Sequence, residues 1–134
     1  MYSSDVYKKV THSVSRKGYL AMVILFAQKL LKRLANDDRK ALAQMGRQRA
    51  EKYRLRLSQL SDANCLEDLR YMPGNYHELR ADRKGQWGCD LDQPYRLVFA
   101  PLEDPIPADV SGRYVWSEIR GVSILEIVNY HKEG

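Results

Sequence analysis

Histidine is scarce in this 134-residue chain, with three copies, and cysteine is scarcer still, with two. Cys65 and Cys89 are too few for a disulfide framework. Neither has a second Cys or a paired His at ligand spacing, so a zinc site is not expected and both read as buried, reduced thiols. Long apolar runs are also missing. The longest, LAMVILFA at Leu20–Ala27, is less than half of the about 18 residues that a membrane span needs. Lys8, Lys9, Arg16 and Lys17 precede it as in a secretory leader, but Gln28, Lys29, Lys32 and Arg33 follow at once with no A-x-A-like site. The expected location is therefore cytoplasmic, with no membrane partner.

What is present suits one domain with a real core. The chain is 44% hydrophobic and 29% charged, ordinary for a globular protein. Its formal charge of +5 is unevenly placed. Residues 1–70 carry fifteen Lys/Arg against seven Asp/Glu, and residues 71–134 carry seven against ten. A basic front half fits either a polyanion or an acidic protein partner.

Residues 1–21 are Ser-rich without clear periodicity and read as an extension; a single domain is expected over 22–134. Met22–Ala27 (MVILFA) is β-branched and aromatic, a strand expected to be buried on both faces. Leu30, Leu31 and Leu34 place a short helix over Gln28–Ala35, and Asn36-Asp37 supplies a break and an N-cap. Asp38–Leu60 reads as the longest helix. Ala43, Gly46, Ala50, Tyr53, Leu57 and Leu60 share one face, and Arg39, Lys40, Arg47, Arg49, Lys52, Arg54 and Arg56 form its solvated remainder.

After a possible helical turn at Leu66–Leu69 and the turn Pro73-Gly74-Asn75, the period changes to two. Strands are expected at Tyr76–Leu79, across Trp87, Cys89 and Leu91, and at Tyr95–Phe99. Pro101–Gly112 is a loop. Val122–Val128 is an interior strand, with Ile124 and Val128 pointing one way and Leu125 and Ile127 the other. The class is α+β, with N-terminal helices packed on one face of a small, mainly antiparallel sheet.

The block LEDLRYMPGNYHELRADRKGQWGCDLDQPYRLVFAP, followed by ILEIVNYH, resembles the HigB-like toxins of the RelE/ParE toxin-antitoxin superfamily. The resemblance covers Met22–His131 and is strongest from Leu66 onward. It implies a type II toxin, a ribosome-dependent endoribonuclease (mRNA interferase) that blocks translation by cutting mRNA in the 70S ribosome. It also implies a cognate antitoxin protein, of helix-turn-helix type, and no cofactor or metal.

Metal-free RNA cleavage needs a base for the 2′-hydroxyl, cations for the charge building on phosphoryl oxygens, and an acid for the leaving 5′-oxygen. Histidine suits the proton transfers. His77 and His131 stand at positions matching the family's functional histidines, while His12 lies in the extension. Arg80 and Arg96 present forks suited to phosphate, and Arg83 and Lys84, with Arg47 and Arg54 on the basic helix, are candidates for RNA or ribosome contact. Arg96 could instead pair structurally with Glu126 or Asp82. Tyr130 can stack on a base or bond a phosphate, whereas Trp87 reads as core. In a regular last strand Asn129 and His131 face one side and Tyr130 the other. Asn129 stands where the family has an acid, and an amide cannot act as a base. A ParE-like gyrase-inhibiting toxin and a non-catalytic RNA-binding protein are the alternatives, because such folds are similar and fold alone does not decide function.

Overall fold

The computed structural model describes residues 22–130. The expected extension at 1–21 and the candidate residue His131 lie outside the described residues. The first strand, β1 (Val23–Phe26), leads into α1 (Lys29–Asn36), α2 (Asp38–Met45) and α3 (Arg47–Asp62), then a 3-10 helix at Leu66–Tyr71. Four strands follow: β2 (His77–Glu78), β3 (Trp87–Asp90), β4 (Tyr95–Pro101) and β5 (Gly121–Asn129). The architecture is α+β, with a five-stranded, mostly antiparallel open sheet in the order β1-β5-β4-β3-β2. Only β1 runs parallel to its neighbour, pairing Val23 with Gly121 and Phe26 with Ile124. No helix among the described residues is long and apolar enough to cross a membrane.

The helices form where the leucine spacing places them, with two departures. Asp37 caps α2 as expected, its carboxylate accepting the Lys40 N–H at 3.0 Å. The single helix expected over Asp38–Leu60 is two helices, because Gly46 adopts φ +80° and breaks it. Its N–H closes α2 onto Leu42 O, and its carbonyl opens α3 by accepting from Ala50 N. The break takes Ala43 and Gly46 off the buried face and puts Ala41 there instead. The second departure is Arg56, which is not part of a solvated face and is only 5% exposed. Tyr53, Leu57 and Leu60 hold α3 in the core, each contributing about 1.5–3 kcal/mol by burial.

One hydrophobic cluster joins Leu31, Leu34, Tyr53, Leu57 and Leu60 to Phe26, Trp87, Leu97, Phe99 and Ile124 of the sheet. Strand β1 is buried on one side only: Ile24 and Phe26 face the core and are enclosed, but Val23, on the opposite face, is 44% exposed. In β5 the expected strict alternation fails. Val98 pairs with Glu126 and Phe99 with Ile124, so Leu125 is an extra residue, a β-bulge. The bulge turns Ile127 to the core side with Ile124 and leaves Glu126 and Val128 on the open side with Val98 and Arg96. Gln28 Nε2 donates to the bulge carbonyl, Leu125 O, at 2.7 Å.

Candidate functional site

The open side of the sheet carries a cleft of about 790 Å³ lined by Leu79, Arg80, Ala81, Asp82, Arg83, Gln86, Arg96 and Tyr130. Strand register explains who reaches it. Residues paired across strands share a side, so His77, Gly88, Val98 and Glu126 form one row on the open side. Arg96, two residues before Val98, is on that side too.

Arg96 is the centre of the cleft. Its stem crosses Gly88, where a Cβ would lie 2.7 Å from Arg96 Cδ and 3.3 Å from Leu79 Cδ2. Its guanidinium carbon stands 4.5 Å from the centroid of the Tyr130 ring, a cation–π contact. The Nε donor of Arg96 is buried and has no acceptor among the described residues. An unsatisfied donor of this kind is costly, and the packing of the stem against Gly88 and of the guanidinium against Tyr130 holds it in place.

The other cations differ in how far they are committed. Arg83 donates to Glu126 Oε2 at 3.0 Å and to Gln86 Oε1 at 3.0 Å. It is thus Arg83, rather than Arg96, that takes the structural partner Glu126. Arg80 is exposed and forms no ion pair among the described residues. It precedes Ala81, which holds the left-handed φ of +57° at the start of the 3-10 turn Ala81–Arg83. Backbone in that region is uncommon without glycine and gathers at functional loops.

Tyr130 reaches the cleft because regular pairing ends at Asn129. Its N–H donates to Pro94 O at 3.2 Å, and its hydroxyl donates to Gln93 Oε1, fixing the ring to the β3–β4 turn. That turn is held from α3 by Arg49, which grips Asp92 with two bonds of 3.0 and 3.3 Å and covers the Tyr95 ring at 3.5 Å. Asn129 pairs with Tyr95, which packs against the core beside Leu97. It therefore stands on the core side of the sheet, away from Arg96.

His77 lies on β2 opposite Gly88, on the same side as Arg96 but outside the cleft lining. Its Nδ1 is 2.6 Å from Asn75 O. A carbonyl only accepts, so Nδ1 donates to it; of the two neutral tautomers this contact favours the one whose Nε2 is the acceptor. Lys84 occupies a neighbouring hollow of about 410 Å³ that shares Gln86 with the cleft, its ammonium 5.8 Å from the Tyr114 ring centroid. Arg47 and Arg54 stand on α3, outside the lining, beside Glu51 at 3.9 Å and Asp38 at 2.8 Å.

Shifted ionisation is found in the core, at the sheet edge and at Asp109 on an exposed loop. Burial pushes the Cys89 thiol up to about 12, and burial likewise raises Tyr76, whose hydroxyl donates to Gln59 Oε1 at 2.9 Å. Arg70 is raised chiefly by its bond to Glu67, and its guanidinium lies over Trp87 at 4.8 Å, sealing the far edge of the sheet.

Of the residues expected to act, the fold brings Arg80, Arg83, Arg96 and Tyr130 around one cleft, sets His77 beside it, and puts Asn129 on the other side. Gly88, Gln86 and Arg56 were not legible as site residues, and Glu126 was read as a partner for Arg96 rather than for Arg83. Only the glycine on a strand carried a signal, since a glycine there marks close approach by a neighbour. Compared with protein-family models and with curated proteins, the sequence matches none.

Proposed function

We propose that the chain is a HigB-like toxin of the RelE/ParE superfamily, with helices covering one face of the sheet and the opposite face binding RNA. In this proposal it is a ribosome-dependent endoribonuclease that acts in the cytoplasm and is silenced by a cognate antitoxin. The observation that carries it is the Arg96 guanidinium, stacked on Tyr130 and flanked by Arg80 in an open cleft.

The chemistry follows from where donors stand. An RNA phosphate in the cleft takes its non-bridging oxygens to Arg96 and Arg80, which stabilise the charge that grows there as the 2′-oxygen attacks phosphorus. The base is His77 Nε2, left with its lone pair by the Nδ1 bond to Asn75 O. The proton it takes leaves the 2′-hydroxyl, the bond from phosphorus to the 5′-oxygen breaks, and His131 supplies the proton to that oxygen. Products are a 2′,3′-cyclic phosphate and a 5′-hydroxyl. Tyr130 orients Arg96 and offers a ring for a base to stack on. Arg83, tied to Glu126, shapes the loop more than it meets phosphate.

Expression of the wild type, His77→Ala and His131→Ala in cells, followed by mapping of mRNA 5′ ends, tests the assignment. The wild type should create new ends within coding sequence, and each variant should lose them. Equal growth arrest in all three with intact mRNA would remove the nuclease. The place of His77 outside the cleft lining favours, as second choice, an RNA-binding protein without cleavage. That protein would retain salt-sensitive RNA affinity and yield no new ends.

A further inference from the structure

Arg56 is the most deeply buried cation among the described residues, and its hydrogen-bond acceptors are all neutral: Asp90 O at 2.7 Å, Gln59 Oε1 at 3.1 Å and Pro73 O at 3.4 Å. Burying a guanidinium without a carboxylate partner is expensive, and an apolar side chain of similar volume would cost less. What the charge provides is geometry. Its donors reach two separate strands' ends at once, the carbonyl that closes β3 and the turn that opens β2.

That turn is built onto the guanidinium. Gly74 holds φ +124°, and a Cβ there would come within 2.8 Å of Arg56 Cζ, so the backbone lies directly against the charged plane. Gln59 adds a second hold on Pro73 O at 2.9 Å. Asp90 N donates to Gly74 O at 2.8 Å, completing a ring of bonds from α3 through β3 back to the turn. The next residue, Asn75, carries the left-handed φ of +57° and offers the carbonyl that fixes His77 Nδ1.

We propose that Arg56, with Gln59, is a positioning residue for His77: it clamps the Pro73–Asn75 turn so that Asn75 O selects, between the two neutral tautomers, the one with the proton on Nδ1. The clamp itself is a matter of structure; its catalytic consequence rests on the nuclease proposed above. Loosening the turn by about 1 Å should lower turnover on the order of 100-fold with little change in substrate affinity, since no group that touches RNA is altered.

The test uses the full chain with ¹⁵N-labelled histidine, with His77 assigned by His77→Gln, in wild type, Arg56→Lys and Gln59→Ala. Gln59→Ala removes the bond to Pro73 O and the acceptor that Arg56 and Tyr76 share, but leaves the guanidinium on Asp90 O, so it serves if Arg56→Lys does not fold. Nitrogen shifts of wild-type His77 should report the Nδ1–H tautomer. Each folded variant should show a mixture with Nε2–H and a fall in kcat at near-constant KM on ribosomes. A His77 that keeps one tautomer in every folded variant would overturn the positioning role. Tautomer mixing with no cleavage by the wild type would uphold the clamp and reject the nuclease instead.

Discussion

Adding a single methyl group at Gly88 separates folding from function in the cleft. Gly88 has an ordinary φ, so alanine brings no backbone strain, only a Cβ placed 2.7 Å from Arg96 Cδ, 3.2 Å from its Cγ and 3.3 Å from Leu79 Cδ2. Carbon atoms rest at about 3.5–4.0 Å, so the Arg96 stem must retreat by roughly 1 Å. Extra volume in a packed site costs about 1–3 kcal/mol, and the flexible stem puts Gly88→Ala at the lower end, about 1 kcal/mol. The stem's retreat also drags the guanidinium from its place over Tyr130, and an error of that size at the group proposed to stabilise the phosphoryl charge is worth on the order of 100-fold in rate. Urea unfolding gives the first quantity and cleavage of mRNA on purified ribosomes gives the second. In an Arg96→Gln background the same methyl should add little further loss of cleavage, because its target is already removed. Full cleavage by Gly88→Ala, or an equal loss with and without Arg96, would refute the role given to that stem.

Two further outcomes probe the scaffold. Gly46→Ala should destabilise the fold by about 1–2 kcal/mol in urea, although open space surrounds the site, because alanine resists the φ of +80° that separates α2 from α3; an unchanged midpoint would mean that the break does not need glycine. Stability should fall as pH rises above about 9, where the unfolded Cys89 thiol ionises while burial keeps the native thiol neutral up to about 12. The contribution is fully present below the unfolded value and is lost toward the folded one. Cys89→Ala should make that decline shallower, with Tyr76, raised in the same direction, accounting for the remainder; parallel curves would deny the thiol any part.

The helices and strands were legible in the sequence because each carries a period of its own. Leu31 and Leu34 of α1, the Asp37 cap and the alternation through Trp87, Cys89 and Leu91 all land where the pattern puts them, while Leu30 stays exposed. Failures came where one residue acts against its neighbours. Gly46 sits inside an otherwise unbroken helical pattern, and only its positive φ shows that it ends one helix and starts another. The bulge at Leu125 leaves no mark in a run that is apolar at nearly every position, yet it decides which residues share the open side with Arg96.

The site divides in the same way. Arg80, Arg96 and Tyr130 could be picked by residue type and come together through sheet register. Arg56 could not, because a cation in a basic helix gives no sign that it points inward to bind carbonyls. The side that Asn129 takes follows from pairing geometry alone: it lies opposite Tyr95, on the core side.

The central claim, that the Arg96 cleft cleaves RNA, is tested most directly on purified ribosomes carrying a defined mRNA. Wild-type protein should produce fragments ending in a 2′,3′-cyclic phosphate and a 5′-hydroxyl, and Arg96→Gln should cut at least about 100-fold more slowly. Intact mRNA with the wild type, or equal cleavage by Arg96→Gln, would contradict it.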